Sequence, residues 1–163
     1  PMPFSVLQSG FDALYPAGLQ WHWKSDFFEE IADDAITLHR QFGERIPTPH
    51  STMHMYPISG AAARVPEDAT AFAYRGGGWI GVMAGVDPDP ANLGRITEWS
   101  REYWEGLHPS SAGGAYVNMM MEDEGAERIK ASYRGNFERL TQVKKRYDPA
   151  NLFHLNQNIP PAT

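Results

Sequence analysis

Tyr116, Val117 and Asn118 follow the pair Gly113-Gly114 and read as part of a short strand over 115–120, which would turn Tyr116 and Asn118 to the same side. A tyrosine, with an ordinary pKa near 10, acts as a base only if something stabilises its phenolate. The residues alone leave open the blander reading of a tyrosine hydrogen-bonded in a sheet. A second group is His50, His54 and Tyr56, which would share one face of an extended chain that includes the strand candidate over 51–58. Two imidazoles four residues apart could ligate a metal, but no carboxylate lies nearby and a structural metal site wants four ligands. A polar cavity wall holding substrate is the preferred reading, with no metal. The chain has no cysteine, which removes disulfides, thiolate metal sites and a cysteine nucleophile. No G-x-S-x-G elbow occurs, so nothing argues for a serine hydrolase.

One motif matches a cofactor fingerprint literally. Gly76-Gly77-Gly78-Trp79-Ile80-Gly81 fits G-x-G-x-x-G. A dinucleotide site needs those glycines to open a helix whose N-terminus holds the pyrophosphate. Here Trp79 to Val86 has the pattern of a strand, so the glycines are expected to make a hairpin turn from a strand over 70–75. Gly81 and Gly85 form a G-x-x-x-G, but in no apolar run long enough for a bilayer.

These residues need elements to position them. Residues 1–17 read as an irregular lead-in, and Gln20 to Ser25 as a strand. Asp26 is expected to cap a helix reaching Phe42, which Gly43 and Pro47 end. Helical spacing recurs over 92–107, with Leu93, Ile96, Trp99, Tyr103, Trp104 and Leu107 on the buried side. A long amphipathic helix over 124–147, interrupted near Gly135, stops at Asp148-Pro149. Trp21, Trp23, Tyr103 and Trp104 are read as core, and Arg139, Lys144, Lys145 and Arg146 as a solvated helix face. The expected fold is α+β, an antiparallel sheet with helices covering one face.

With 163 residues, 42% hydrophobic and 12% aromatic, the chain suits one compact unit with a core. A net charge of -6 and no basic arm give no reason to expect nucleic acid. No apolar stretch approaches the roughly 20 residues of a membrane span. The first residue is Pro1 rather than Met, which suggests a fragment or processed product. No signal peptide is visible, and the expected location is cytoplasmic.

The closing stretch carries a resemblance. Tyr116-Val-Asn118, Asn136-Phe137-Glu138-Arg139-Leu140, Val143-Lys144-Lys145-Arg146, Tyr147-Asp148-Pro149-Ala150-Asn151-Leu152-Phe153 and Asn156-Gln157-Asn158-Ile159 occur in that order. Together they resemble the berberine-bridge-enzyme-like C-terminal segment of flavin oxidoreductases of the vanillyl-alcohol-oxidase type. Upstream, Trp23 to Phe27 and the run from Arg64 to Arg75 look like that family's substrate domain, so the likeness covers the chain from about Gly18 onward. The resemblance implies residues 1–113 as a partial substrate-binding domain and residues 114–163 as the berberine-bridge-like segment, together a fragment of a two-domain flavoenzyme.

It implies oxidation of a small alcohol, sugar or amine with hydride passing to FAD. By position Tyr116 is the base, Asn118 sits with Tyr116 near the flavin, and His54 and Tyr56 face the substrate. A glutamate base known in some plant members aligns at about Arg64, which favours the tyrosine. The preceding FAD-binding domain would be this chain's partner. Without it the chain is expected not to hold FAD and to be inactive, with Leu152, Phe153 and Leu155 exposed and self-association following. A stand-alone small-molecule binding module is the alternative.

Overall fold

Aromatic and Met residues alternating with polar ones build two strands and a continuous apolar run builds a third, and their register decides which side chains share a surface. The computed structural model describes residues 1–10, 12 and 15–163. A short helix α1 (Phe4–Ser9) precedes strand β1 (Gln20–Phe28), helix α2 (Asp33–Glu44), strand β2 (Thr52–Pro57), a single turn α3 (Gly60–Ala63) and strand β3 (Trp79–Asp87). Helices α4 (Leu93–Leu107), α5 (Ala126–Tyr133) and α6 (Phe137–Tyr147) follow. The strands form one antiparallel sheet in the order β1-β3-β2. This is the α+β arrangement that the spacing implies.

One face of the sheet is covered by helices. Phe28, Met83, Met53 and Met55 meet Ala35 and Phe42 of α2 and Trp99, Tyr103 and Leu107 of α4. In α4 the buried positions Ile96, Trp99, Ser100, Tyr103 and Leu107 recur at helical spacing. The rings of Phe42 and Tyr103 stack with centroids 4.5 Å apart, and Trp99 Nε1 donates to the Phe42 carbonyl at 3.2 Å. Gly85 lets α4 approach β3. A Cβ placed there would lie 2.5 Å from the Ile96 carbonyl oxygen and 2.8 Å from the Ile96 Cβ. Gly85→Ala must therefore displace α4, and the expected loss of stability is about 1–3 kcal/mol, read as a lowered urea midpoint.

Five expectations are corrected. Asp26 does not cap a helix: β1 continues through Phe28, helix α2 starts only at Asp33, and Asp26 is fully buried in the sheet. Residues 70–75 form no strand, because β3 already has β1 and β2 on its two sides. Gly76–Gly78 therefore makes no hairpin; it leads the chain into β3, with Gly78 accepting from Ile58 N at 2.8 Å. Residues 115–120 form no strand either. That segment closes instead into a 3-10 turn over Val117–Met119. Trp21 and Trp23 are half-buried rather than core, whereas Tyr103 is 1% exposed.

The helical run after residue 124 does break near Gly135, but the residue in left-handed conformation is Arg134, with φ +47°. Its guanidinium lies over the Tyr74 ring, 3.8 Å from the centroid. Asn136, next to it, donates to the carbonyls of Glu67 at 2.7 Å and Thr70 at 2.9 Å. These contacts fix the angle between α5 and α6 where helix hydrogen bonding lapses. Helix α6 buries no residue, as its charge pattern suggests.

Candidate functional site

The side chains singled out from the sequence gather on the sheet face away from α2 and α4. Strand alternation places Trp21, Trp23, Ser25 and Phe27 of β1 on that face. Beside them lie Ile80, Val82, Ala84 and Val86 of β3 and Thr52, His54 and Tyr56 of β2. Phe27 and Tyr56 flank Ile80 from either side, and Ser25 and His54 flank Val82. Tyr116 packs against the cluster of Phe27, Phe72, Tyr74 and Ile80, so it shares this face with His54 and Tyr56. His54 and Tyr56 stack with centroids 5.7 Å apart, and His54 Nε2 lies 2.8 Å from Thr52 Oγ1. His50 falls in the turn before β2 and does not join them. Among the described residues no group of three His, Cys, Asp or Glu could hold a metal ion.

Tyr116 and Asn118 sit on a segment that runs along the outer edge of β1. Ala112 N donates to Phe27 O at 2.7 Å and Phe27 N to Gly114 O at 2.9 Å. After those two bonds the segment turns, with Met119 N donating to Tyr116 O at 2.7 Å. The turn brings the Asn118 amide back over the phenol, and Asn118 Nδ2 donates to Tyr116 Oη at 2.8 Å. A strand would have kept the two side chains parallel; the turn makes them hydrogen-bonded partners. The bond holds an amide donor at the phenol oxygen. Burial, and then the neighbouring Tyr15, push the Tyr56 hydroxyl above its ordinary range, so Tyr56 stays a neutral donor and acceptor.

Sequence reasoning missed the charges that hold this segment on β1. Lys24 Nζ contacts Asp123 at 2.9 Å and Glu124 at 3.1 Å. Arg128 binds Asp26 at 2.9 Å, Glu124 at 2.6 Å and the Ser25 carbonyl, and its guanidinium lies over the Trp104 ring. Arg101 reaches Asp123 and His108 reaches Asp26. Lys24, Arg101 and Arg128 thus balance Asp26, Asp123 and Glu124, three charges against three. Alternation on β1 was the available signal: Lys24 and Asp26 sit on the same side of the strand as Phe28.

Burial raises the Asp26 carboxyl, and Arg128 and His108 offset this only in part. Burial would raise Asp123 too, but hydrogen bonds from Lys24 and Arg101 outweigh it and hold it at about 2. The two groups act with opposite sign on stability. What Asp26 contributes is present at low pH and lost as pH rises through its raised pKa. What Asp123 contributes is fully present above the ordinary 3.8 and lost as pH falls towards about 2. In an acid series of urea unfolding curves, the midpoint of Asp123→Asn should therefore fall less than that of the unsubstituted chain between pH 3.8 and about 2.

Beside Asn118 lies an open groove of about 770 Å³. Val117, Met120, Met121, Tyr133 and Leu155 give it apolar walls, Asn118 and Gln157 bring amides to it, and His22, Arg101, Glu122 and Asp123 bring charged or ionisable groups. The apolar side chains and the amides offer contacts to a planar heteroaromatic ring, and the charged groups lie beside them in the same groove. Gly76–Gly78 leads into a strand and not a helix, so it does not form the helix-borne pyrophosphate site that its glycine spacing matches. The tail beyond α6 is held by its backbone: Asp148 accepts from the N–H groups of Leu152 at 2.8 Å and Phe153 at 3.0 Å. It presents Leu152, Phe153 and Leu155 outward, 72%, 78% and 82% exposed. No helix among the described residues is long and apolar enough to cross a membrane.

A profile of the family described as berberine and berberine-like matches residues 115–160, the stretch that carries Tyr116, Asn118, Arg128 and Gln157. The FAD-linked oxidoreductase YvdP of Bacillus subtilis is 31% identical over 145 residues, covering 86% of this chain and 30% of its own. Monolignol oxidoreductase AtBBE-like 13 of Arabidopsis thaliana is 31% identical over 121 residues, covering 64% of this chain and 22% of its own. The solved structure of berberine bridge enzyme from Eschscholzia californica superposes with a TM-score of 0.76 at 21% identity, over 87% of this chain and 33% of that one, a likeness of fold. The chain spans about a third or less of the length of these relatives.

Proposed function

We propose, from the premise that this chain is a region of the berberine bridge enzyme-like FAD-linked oxidoreductases, that it forms the substrate-facing side of the flavin site and provides the base. The observation that carries this reading is the hydrogen bond from Asn118 Nδ2 to Tyr116 Oη on the face that bears His54 and Tyr56. The substrate is a small organic molecule with an oxidisable C–H bond, an alcohol in the first instance and a sugar or amine by the same chemistry. A relative named for monolignols, which are alcohols, supports that choice.

Asn118, with the groove walls of Met120 and Met121, would hold the ring of FAD. FAD, when bound, supplies the acceptor for the hydride. Tyr116 Oη takes the hydroxyl proton as the neighbouring C–H bond gives up its hydride, so an alcohol leaves as a carbonyl compound. Asn118 steadies the phenolate before that step. His54 and Tyr56 orient the substrate, His54 being fixed in turn by Thr52. The rest of the parent protein, carrying the FAD-binding domain, covers the open face and the apolar tail, and this chain by itself is inactive.

The test is anaerobic flavin reduction in the full-length protein, with primary alcohols and aldoses as reductants. Asn118→Leu removes the donor to Tyr116 while roughly keeping its volume. The rate should fall by about ten- to a hundredfold, the worth of a hydrogen bond to a charged group. An unchanged rate would show that Asn118 does not support the base.

A further inference from the structure

Once the chain has passed Gly114, the last residue bonded to the β1 backbone, no ladder holds it until α5 begins. Yet this is where Tyr116 and Asn118 must keep one geometry. Three side chains from three different elements bond to the backbone there. Ser132 of α5 accepts from Ala115 N at 3.1 Å, and its hydroxyl donates to the Arg128 carbonyl at 2.8 Å. Ser25 of β1 donates to the Met119 carbonyl at 3.0 Å. Gln157 of the tail donates through Nε2 to the Met120 carbonyl at 2.9 Å. The bonds fall on residues 115, 119 and 120, on either side of the Tyr116–Asn118 pair.

We propose that Ser25, Ser132 and Gln157 are positioning residues, a three-point clamp that sets the Asn118–Tyr116 hydrogen bond by holding the backbone around it. The proposal rests on the reading of Tyr116 as the base. Ser25 is the clearest sign of the clamp. It is fully buried between Trp23 and Phe27, on the same face of β1, where an apolar side chain would be the ordinary occupant. A buried hydroxyl there is compensated by its bond to Met119. Ser132 is likewise buried, and its oxygen joins α5 to the first residue of the turn. Gln157 adds a consequence for assembly: it lies in the tail that exposes Leu152, Phe153 and Leu155, so the third point of the clamp is in place only while the tail lies in this position.

The experiment uses the chain itself, labelled with nitrogen-15. The variants are Ser25→Ala, Gln157→Met, the pair together, Ser25→Thr, and each of the first three with Tyr116→Phe. Three readouts are taken: the melting temperature, the side-chain amide resonance of Asn118, and the exchange rate of the Met119 amide. The expected result is that Ser25→Ala with Gln157→Met moves the Asn118 side-chain resonance to the position of a free amide and speeds Met119 exchange by at least about tenfold. The chain should still melt cooperatively, and Ser25→Thr should keep the wild-type resonance because it keeps the hydroxyl. With Tyr116→Phe present the Asn118 resonance is already free, so adding Ser25→Ala should leave it where it is; a serine with only a general packing role would shift it again.

An Asn118 resonance and a Met119 exchange rate that stay at their wild-type values in the pair variant would overturn the clamp. Full activity of a Tyr116→Phe enzyme would instead overturn the reading of the base, without changing what the clamp variants show in the chain that keeps Tyr116, so the two failures are told apart.

Discussion

Tyr116→Phe in the full-length, flavin-loaded protein should slow anaerobic flavin reduction by about a hundredfold to ten-thousandfold, the usual worth of a positioned general base. Phe keeps the ring that meets Phe72 edge-on, with centroids 6.0 Å apart, and keeps the contact with the Phe27 cluster. The fold of the loop should survive, and substrate affinity should change by less than about tenfold, because the lost oxygen acts chiefly in the transition state. Stopped-flow absorbance of the flavin band, over a range of substrate concentrations, separates the two quantities. A reduction rate within about threefold of wild type would remove Tyr116 from the mechanism.

The second large effect is on stability. Arg128→Met in the chain itself should cost about 3–5 kcal/mol, measured by urea unfolding at neutral pH, because a buried carboxylate left without its cation is strongly unfavourable. Asp26 is 0% exposed by side chain and Glu124 2%, and Arg128 bonds to both. His108 remains for Asp26 and Lys24 for Glu124, so the chain should stay folded but weakened. Met retains most of the stem that lies over Trp104, which keeps packing loss small beside the charge effect. Adding Asp26→Asn should recover part of the loss, since the burial that raises the Asp26 carboxyl is what makes its ionised form unfavourable. A loss below about 1 kcal/mol would mean that water reaches the cluster and screens it.

Much of the architecture was legible along the chain. Period-2 alternation marked β1 and the shared-face spacing of His54 and Tyr56 fits β2, a continuous apolar run after the glycines marked β3, and the period of Ile96, Trp99, Tyr103 and Leu107 marked α4. Asp148-Pro149 marked the end of α6, and the break near residue 135 could be read from Gly135, although the contacts of Asn136 and Arg134 make it. Three readings misled for definite reasons. Asp26 has the right type and place for a helix cap, but Arg128, 102 positions away in sequence, compensates it inside the sheet. Residues 70–75 and 115–120 have strand composition, but β3 has no free side for the first, and the second is drawn into a turn by its own backbone bonds.

The candidate site divides in the same way. Tyr116, Asn118, His54 and Tyr56 could be named from residue type, spacing and family likeness, because those are local or inherited patterns. What they form together could not. That Tyr116 shares a face with His54 and Tyr56 follows from Phe27 and Tyr56 flanking Ile80, a register set by pairing between distant strands. That Asn118 donates to Tyr116, rather than pointing beside it, follows from the turn and from the side chains of Ser25, Ser132 and Gln157 that bond to its ends. Sequence by itself determined the three paired strands, the main helices and the chemical inventory, since periodicity and residue type are properties of neighbours along the chain. Tertiary structure alone decided the buried charge cluster, the shared face and the Tyr116–Asn118 bond, because each depends on groups that only folding brings within hydrogen-bond reach.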